Sequence, residues 1–162
     1  MDFVNFIDFS EQGGGVMIYV RNYTLSKQST KNNIDGEIDG LFVKINLRKT
    51  KWLLYGTYHP PSQNKSLYID SVSSALDTYL SQYDKLFLVG DFNCETFDPT
   101  LKGFLDQYSL KNIVKEPTCF KSVTNPSCID LILTNNSYCF ENTIAVSTGL
   151  SDFHKMLLTT FK

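Results

Sequence analysis

Apolar and polar positions change period several times along the chain, and each change marks an element. Residues 16–20, Val-Met-Ile-Tyr-Val, are a short β-prone run directly after the triplet Gly13-Gly14-Gly15. Residues 24–36 are polar and read as turn. From Leu41 the chain alternates, placing Leu41, Val43, Ile45 and Leu47 on one face of a strand. Trp52 to Tyr58 predicts the next strand, closed by Pro60-Pro61, and the link from Arg48 to Lys51 is short enough for a hairpin. Between 66 and 83 the period lengthens. Tyr68/Ile69, Val72, Ala75/Leu76, Tyr79/Leu80 and Tyr83 form the stripe of an amphipathic helix. Leu86-Phe87-Leu88-Val89 is continuous, as in a strand covered on both faces. Asp98-Pro99 supplies an N-cap and a proline at N1, followed by the stripe Leu101, Phe104, Leu105 and Tyr108. Strand-like runs follow at 112–114, 129–133, 143–147 and 156–161. Many strands with few helices predict a layered α/β or α+β domain.

Composition narrows this picture. With 162 residues, 42% hydrophobic, the chain suits a single domain over 1–162 with a buried core. An aromatic content of 14% excludes a disordered chain. No apolar run reaches a membrane span, and the start lacks the basic and apolar regions of a signal peptide, so an intracellular domain that is not secreted is expected. A net charge of -2 argues against gripping nucleic acid through bulk positive charge. Lys44, Arg48, Lys49 and Lys51 cluster, which suits a solvated strand edge better than a phosphate backbone. Cys94, Cys119, Cys128 and Cys139 show no CxxC spacing and read as buried free thiols.

Candidate chemistry lies at the strand ends. Gly90-Asp91-Phe92-Asn93 follows the continuous apolar run and delivers Asp91 and Asn93, two apart, into the loop beyond it. Alone, such a motif is more often an ordinary Asp/Asn turn. Tyr58-His59-Pro60-Pro61 closes a strand, and Pro117-Thr118-Cys119-Phe120 precedes a loop. Asp130 sits inside the apolar run Ile129 to Leu133, where an acid needs a partner such as an imidazolium. Gly149-Leu150-Ser151-Asp152-Phe153-His154 comes near the end. Taken singly, His59 and His154 are more often surface or hydrogen-bonded core histidines.

In their order, these motifs resemble the endonuclease/exonuclease/phosphatase superfamily, with its DNase I-like fold. Within it they most nearly resemble the endonuclease domain of non-LTR (LINE-type) retrotransposons. Gly14-Gly15-Val16-Met17-Ile18-Tyr19-Val20-Arg21, Tyr55-Gly56-Thr57-Tyr58-His59-Pro60-Pro61, Gly90-Asp91-Phe92-Asn93, Thr118 with Ser127 and Ile129-Asp130-Leu131-Ile132-Leu133, and Gly149-Leu150-Ser151-Asp152 carry the likeness. The resemblance implies a four-layer α/β sandwich, two mainly antiparallel sheets flanked by helices. It also implies DNA phosphodiester hydrolysis with Mg²⁺ or Mn²⁺, a reverse transcriptase domain in the parent element, and a nuclear setting if the genome is the target. Among its implied site residues, Asp91 orients or deprotonates the attacking water and Asn93 holds the phosphate. Tyr58 contacts phosphate or leaving group, and Thr118 lies in the active site. Asp130 orients the catalytic His154, and Asp152 sits close to the metal beside Asp91 and Asn93.

Two departures accompany the resemblance. The family carries an Asn strand and a metal-binding Glu strand ahead of the glycine segment. Few residues precede Gly13 here, and Asn5 and Glu11 lie outside the corresponding motifs. The expectation is a domain incomplete at its N-terminus, lacking its first strands, prone to self-associate and weak or inactive in turnover. A non-catalytic remnant and a phosphatase of the same superfamily are the alternatives. The second departure is that Phe153 separates Asp152 from His154, where the family reads Ser-Asp-His. Ungapped, Phe153 takes the histidine slot and Met156 and Leu158 face the core. With a one-residue bulge, His154 takes it and Leu157 and Phe161 turn inward. The pattern leaves both open.

Overall fold

The computed structural model describes residues 6–7, 15–19, 25–31, 39–47 and 49–162. Asn5, Glu11, Gly13, Gly14, Arg21 and Arg48 lie outside them. In chain order the strands are β1 (Phe6–Ile7), β2 (Val16–Met17), β3 (Leu25–Lys31), β4 (Asp39–Leu47), β5 (Thr50–Tyr58), β6 (Lys85–Asp91), β7 (Lys111–Asn112), β8 (Asp130–Thr134), β9 (Phe140–Val146) and β10 (Met156–Phe161). Helix α1 (Lys65–Leu80) lies between β5 and β6, and α2 (Pro99–Gln107) between β6 and β7.

Six strands form one sheet in the order β3-β4-β5-β6-β8-β7. All neighbours are antiparallel except β5 and β6, which run parallel because α1 carries the chain back between them. Alternation sorts the side chains. Phe42, Leu53, Tyr55, Leu86, Leu88, Leu131 and Leu133 face the helices and form the main core with Tyr68, Val72 and Leu76 of α1 and Leu101 and Phe104 of α2. Each full burial of this kind contributes roughly 1.5–3 kcal/mol. Both helix starts are capped, the second as the sequence predicts. The Asn64 side chain accepts from Leu67 N, and Asp98 accepts from Thr100 N with Pro99 behind it.

On the opposite face, Leu41 and Val43 meet Val16 and Ile18. There too, Trp52 packs edge-on against Phe140 and Phe161 of the β9–β10 hairpin, and Phe87 stacks on Phe140 at 4.8 Å. The sandwich is therefore helices, six-stranded sheet, and a second layer of paired strands. The β9–β10 register shifts between Leu158 and Thr160, opposite Asn142, whose φ of 53° an asparagine tolerates. That bulge pairs Phe161 with Phe140 and turns both rings toward Trp52.

Three readings need correcting. Residues 25–31, within the segment read as turn, form edge strand β3 paired to β4. An edge strand is held by backbone bonds, so a polar sequence does not forbid it. Lys44 is not at a strand edge either. It lies on β4, between β3 and β5, with its ammonium 5.4 Å from the Tyr79 ring centroid and 5.8 Å from that of Tyr83. The four cysteines are free thiols, but only Cys94 and Cys119 are buried, whereas Cys128 and Cys139 are half-buried.

Gly90 is where backbone geometry governs the site. It pairs with Thr57 in the parallel ladder, and a Cβ added there would lie 1.8 Å from the Thr57 carbonyl oxygen. Gly90→Ala is expected to cost about 1–3 kcal/mol or more, lowering Tm by about 2–4 °C per kcal/mol at this size. Gly103 of α2 has nothing within 4 Å of such a Cβ, so Gly103→Ala is the matched control and should leave Tm unchanged or raise it. Equal melts for the two variants would contradict the close approach of β5 and β6.

Candidate active site

Strand register brings the first three groups together. Tyr58 pairs with Asp91 across β5–β6, and Asp91 pairs with Asp130 across β6–β8. Paired residues project to the same face, so the three form a row at one end of the sheet, on the face away from the helices. Beside them a cleft of about 520 Å³ is lined by Val89, Gly90, Asp91, Asp130, Lys155 and Leu157 among others.

The fourth group arrives from the other layer. Residues 118–120 are held between 127 and 153–155 by Ser127 N to Cys119 O (3.0 Å), Phe120 N to Phe153 O and Lys155 N to Thr118 O (both 2.8 Å). The Ser151 hydroxyl accepts from Phe153 N and His154 N, a tight side-chain turn that absorbs the extra residue. His154 then reaches Asp130, with Nδ1 at 3.1 and 3.0 Å from its two carboxylate oxygens, while Phe153 is 50% exposed. Of the two registers the sequence left open, the bulged one is adopted, and Phe161 is inside. An ionised carboxylate only accepts, so Nδ1 carries the proton and Nε2 presents its lone pair.

Thr118 is fully buried behind this pair. Its hydroxyl oxygen accepts from Ile129 N at 3.2 Å and Asp130 N at 3.0 Å, fixing the backbone that carries the carboxylate. Asn93 adopts φ 44°, donates from Nδ2 to His59 O at 2.7 Å, and gives its backbone N–H to Asp91 Oδ1 at 2.9 Å. The loop after β6 is thereby tied to the end of β5. Buried His59 reinforces the tie: its ring nitrogens meet Phe92 O at 2.9 Å and Gln63 O at 3.1 Å, and it stacks on Tyr68. Its observed contacts are those of a loop clamp.

Asp91, Asp130 and His154 offer ligand atoms that all lie within 4.8 Å of one another. Asp152 sits on the exposed turn, outside that group. Burial raises the Asp91 carboxyl from its ordinary value and the Asp130 charge adds to this, against the opposing Asn93 amide and the two imidazoles. Two carboxylates sharing a half-buried site is an arrangement that a bound cation relieves. The donor set therefore fits a divalent metal.

Two neighbours were not singled out by the sequence as part of this constellation. Lys155 lines the cleft, and Cys119 Sγ stands 3.7 Å from His154 Nε2. Neither has a spacing signal, because both reach the site through the bridge between 118–120 and 153–155.

Residues 3–152 match the endonuclease/exonuclease/phosphatase family. The chain belongs to that family. Its members, as the family's description says, are endonucleases, exonucleases and phosphatases, so hydrolysis of phosphate esters is the shared chemistry. The fold is similar to the endonuclease domain of TRAS1, a telomere-specific non-LTR retrotransposon, with 16% identity and a TM-score of 0.62 over 76% of this chain and 63% of that one. An endonuclease/exonuclease/phosphatase from Bacteroides vulgatus gives a TM-score of 0.68 at 10% identity, over 89% of this chain and 69% of that one. The human Nocturnin catalytic domain gives 0.57 at 14%, over 77% and 53%. At such identities the likeness establishes the fold, and the chain spans less than two thirds of two of these three structures. No curated protein matches the chain. Among the described residues, no helix is long and apolar enough to cross a membrane.

Proposed function

We propose that the chain is a metal-dependent phosphodiesterase acting on DNA, an endonuclease of the non-LTR retrotransposon type. The observation that carries this reading is the Asp130–His154 pair, with both carboxylate oxygens at the imidazole Nδ1, facing Asp91 across adjoining strand ends. Asp91 orients the attacking water and takes its proton, a role favoured by the raised proton affinity that burial gives it. His154, held by Asp130, presents Nε2 toward the reacting phosphate, and Thr118 keeps Asp130 in place. Tyr58, at the end of the same row, contacts phosphate or leaving group. Asp91 and Asn93, side by side at the end of β6, would hold Mg²⁺ or Mn²⁺, hard cations that take oxygen ligands and keep much of their water. Asp152 stays on its exposed turn outside this group. When bound, the cation neutralises phosphate charge as a Lewis acid. The partners in this reading are a DNA substrate and a reverse transcriptase domain of the parent element, working at the genome in the nucleus.

The test is conversion of supercoiled plasmid to open circles by the purified chain. Slow nicking in Mg²⁺, stopped by a chelator, is expected, with no inorganic phosphate released from a phosphomonoester. Phosphate release without nicking would make the protein a phosphatase. A folded chain inert in both assays would make it a non-catalytic member of the family.

A further inference from the structure

Cys119 Sγ and His154 Nε2 lie 3.7 Å apart, on the side of the imidazole away from Asp130. We propose that these two atoms form a binding site for a soft or borderline divalent cation of the Zn²⁺ class, separate in its ligands from the oxygen site proposed for Mg²⁺.

Three observations support it. The first is spacing. A tetrahedral zinc ion with Zn–S near 2.3 Å and Zn–N near 2.05 Å spans about 3.6 Å between sulfur and nitrogen, close to the separation already present. The second is the imidazole's other nitrogen. Asp130 accepts from Nδ1–H through both oxygens, which fixes the tautomer and turns the Nε2 lone pair toward the sulfur. Zinc-binding histidines are oriented in this way, by a carboxylate on the nitrogen that does not bind metal. The third is rigidity. Cys119 exchanges two backbone hydrogen bonds with Ser127 and bridges to His154, so the pair is preset rather than assembled on binding. Cys119 and His154 are the two protein ligands, and water completes the shell.

Thiolate and imidazole together select zinc, cobalt or copper over magnesium. Binding releases the thiol proton to solvent and needs no oxidant. The other buried thiol is a poorer competitor, since burial pushes Cys94 up to about 11. The bound ion occupies the Nε2 atom that the proposed hydrolysis uses, so it acts as an inhibitor. That consequence rests on the nuclease reading; the binding does not.

The experiment is therefore spectroscopic first. Anaerobic titration of the chain with Co²⁺ should give the intense visible bands of tetrahedral cobalt and a sulfur-to-cobalt charge-transfer band, saturating at one equivalent. Zn²⁺ should displace both. Cys119→Ser should lose the charge-transfer band, and Asp130→Asn should weaken metal affinity about 10–100-fold. Folding of each variant is checked by its thermal melt. A folded chain without the charge-transfer band, or a band that survives Cys119→Ser, overturns the proposal. In the nicking assay, each variant is compared with its own zinc-free rate, and Cys119→Ser should need at least tenfold more Zn²⁺ for half inhibition. Equal zinc sensitivity would place any inhibition elsewhere. If no nicking is detected, the cobalt spectrum still decides the site.

Discussion

Asp91→Asn is expected to stabilise the protein at neutral pH while lowering nicking by about 10²–10⁴-fold. The two effects have one cause. The folded state raises the proton affinity of Asp91, chiefly by burial and secondarily through Asp130. A carboxyl raised on folding contributes stability below its unfolded-state value and loses it as pH rises through the folded one. At pH 7 the ionised group is therefore a cost. Asparagine removes the charge but keeps the oxygen that accepts from Asn93 N. Melts of both proteins in chelator should coincide below the free-aspartate value of about 3.9 and diverge upward in pH, the variant melting higher. A variant that melts lower at pH 7 would mean that the ionised carboxylate is on balance stabilised by its surroundings, and the strain attributed to it would be withdrawn.

The site and the fold differ in how far the sequence shows them. Periodicity carried the framework: β4, β5, β6 and α1 fall where alternation, continuous apolar runs and the three-four stripe place them. Asp130 was legible as an acid needing a partner because four apolar neighbours surround it, and His154 is that partner. What escaped has physical reasons. Strand β3 is bonded through its backbone, to which residue pattern is nearly blind. The register of His154 depends on a hydroxyl turn at Ser151, and a bulge at Asn142 on the partner strand seats Phe140 and Phe161 against Trp52. Both outcomes were open in a one-dimensional pattern with alternating apolar residues on either parity. Cys119 and Lys155 reach the cleft by way of the bridge between two loops, a contact with no local signature.

His154→Ala is expected to lower single-turnover nicking by about 10²–10⁴-fold, and Asp130→Asn by a comparable factor with little change in KM. The double variant should be scarcely slower than His154→Ala. The structure makes Asp130 a positioning residue, bonded through both oxygens to Nδ1 and held from behind by Thr118. A group that acts through an imidazole has nothing left to orient once the imidazole is gone, so the two losses cannot multiply. In Asp130→Asn the amide oxygen would still accept from Nδ1–H but without the charge that stabilises a protonated ring, so the loss belongs in the maximal rate rather than in substrate binding. The rival arrangement makes Asp130 a ligand of the catalytic cation, which its closeness to Asp91 permits. In that case the two factors multiply, and Asp130→Asn raises the Mg²⁺ concentration needed for half-maximal rate while His154→Ala does not. The magnesium dependence of the two single variants separates the arrangements even where the double variant is too slow to measure.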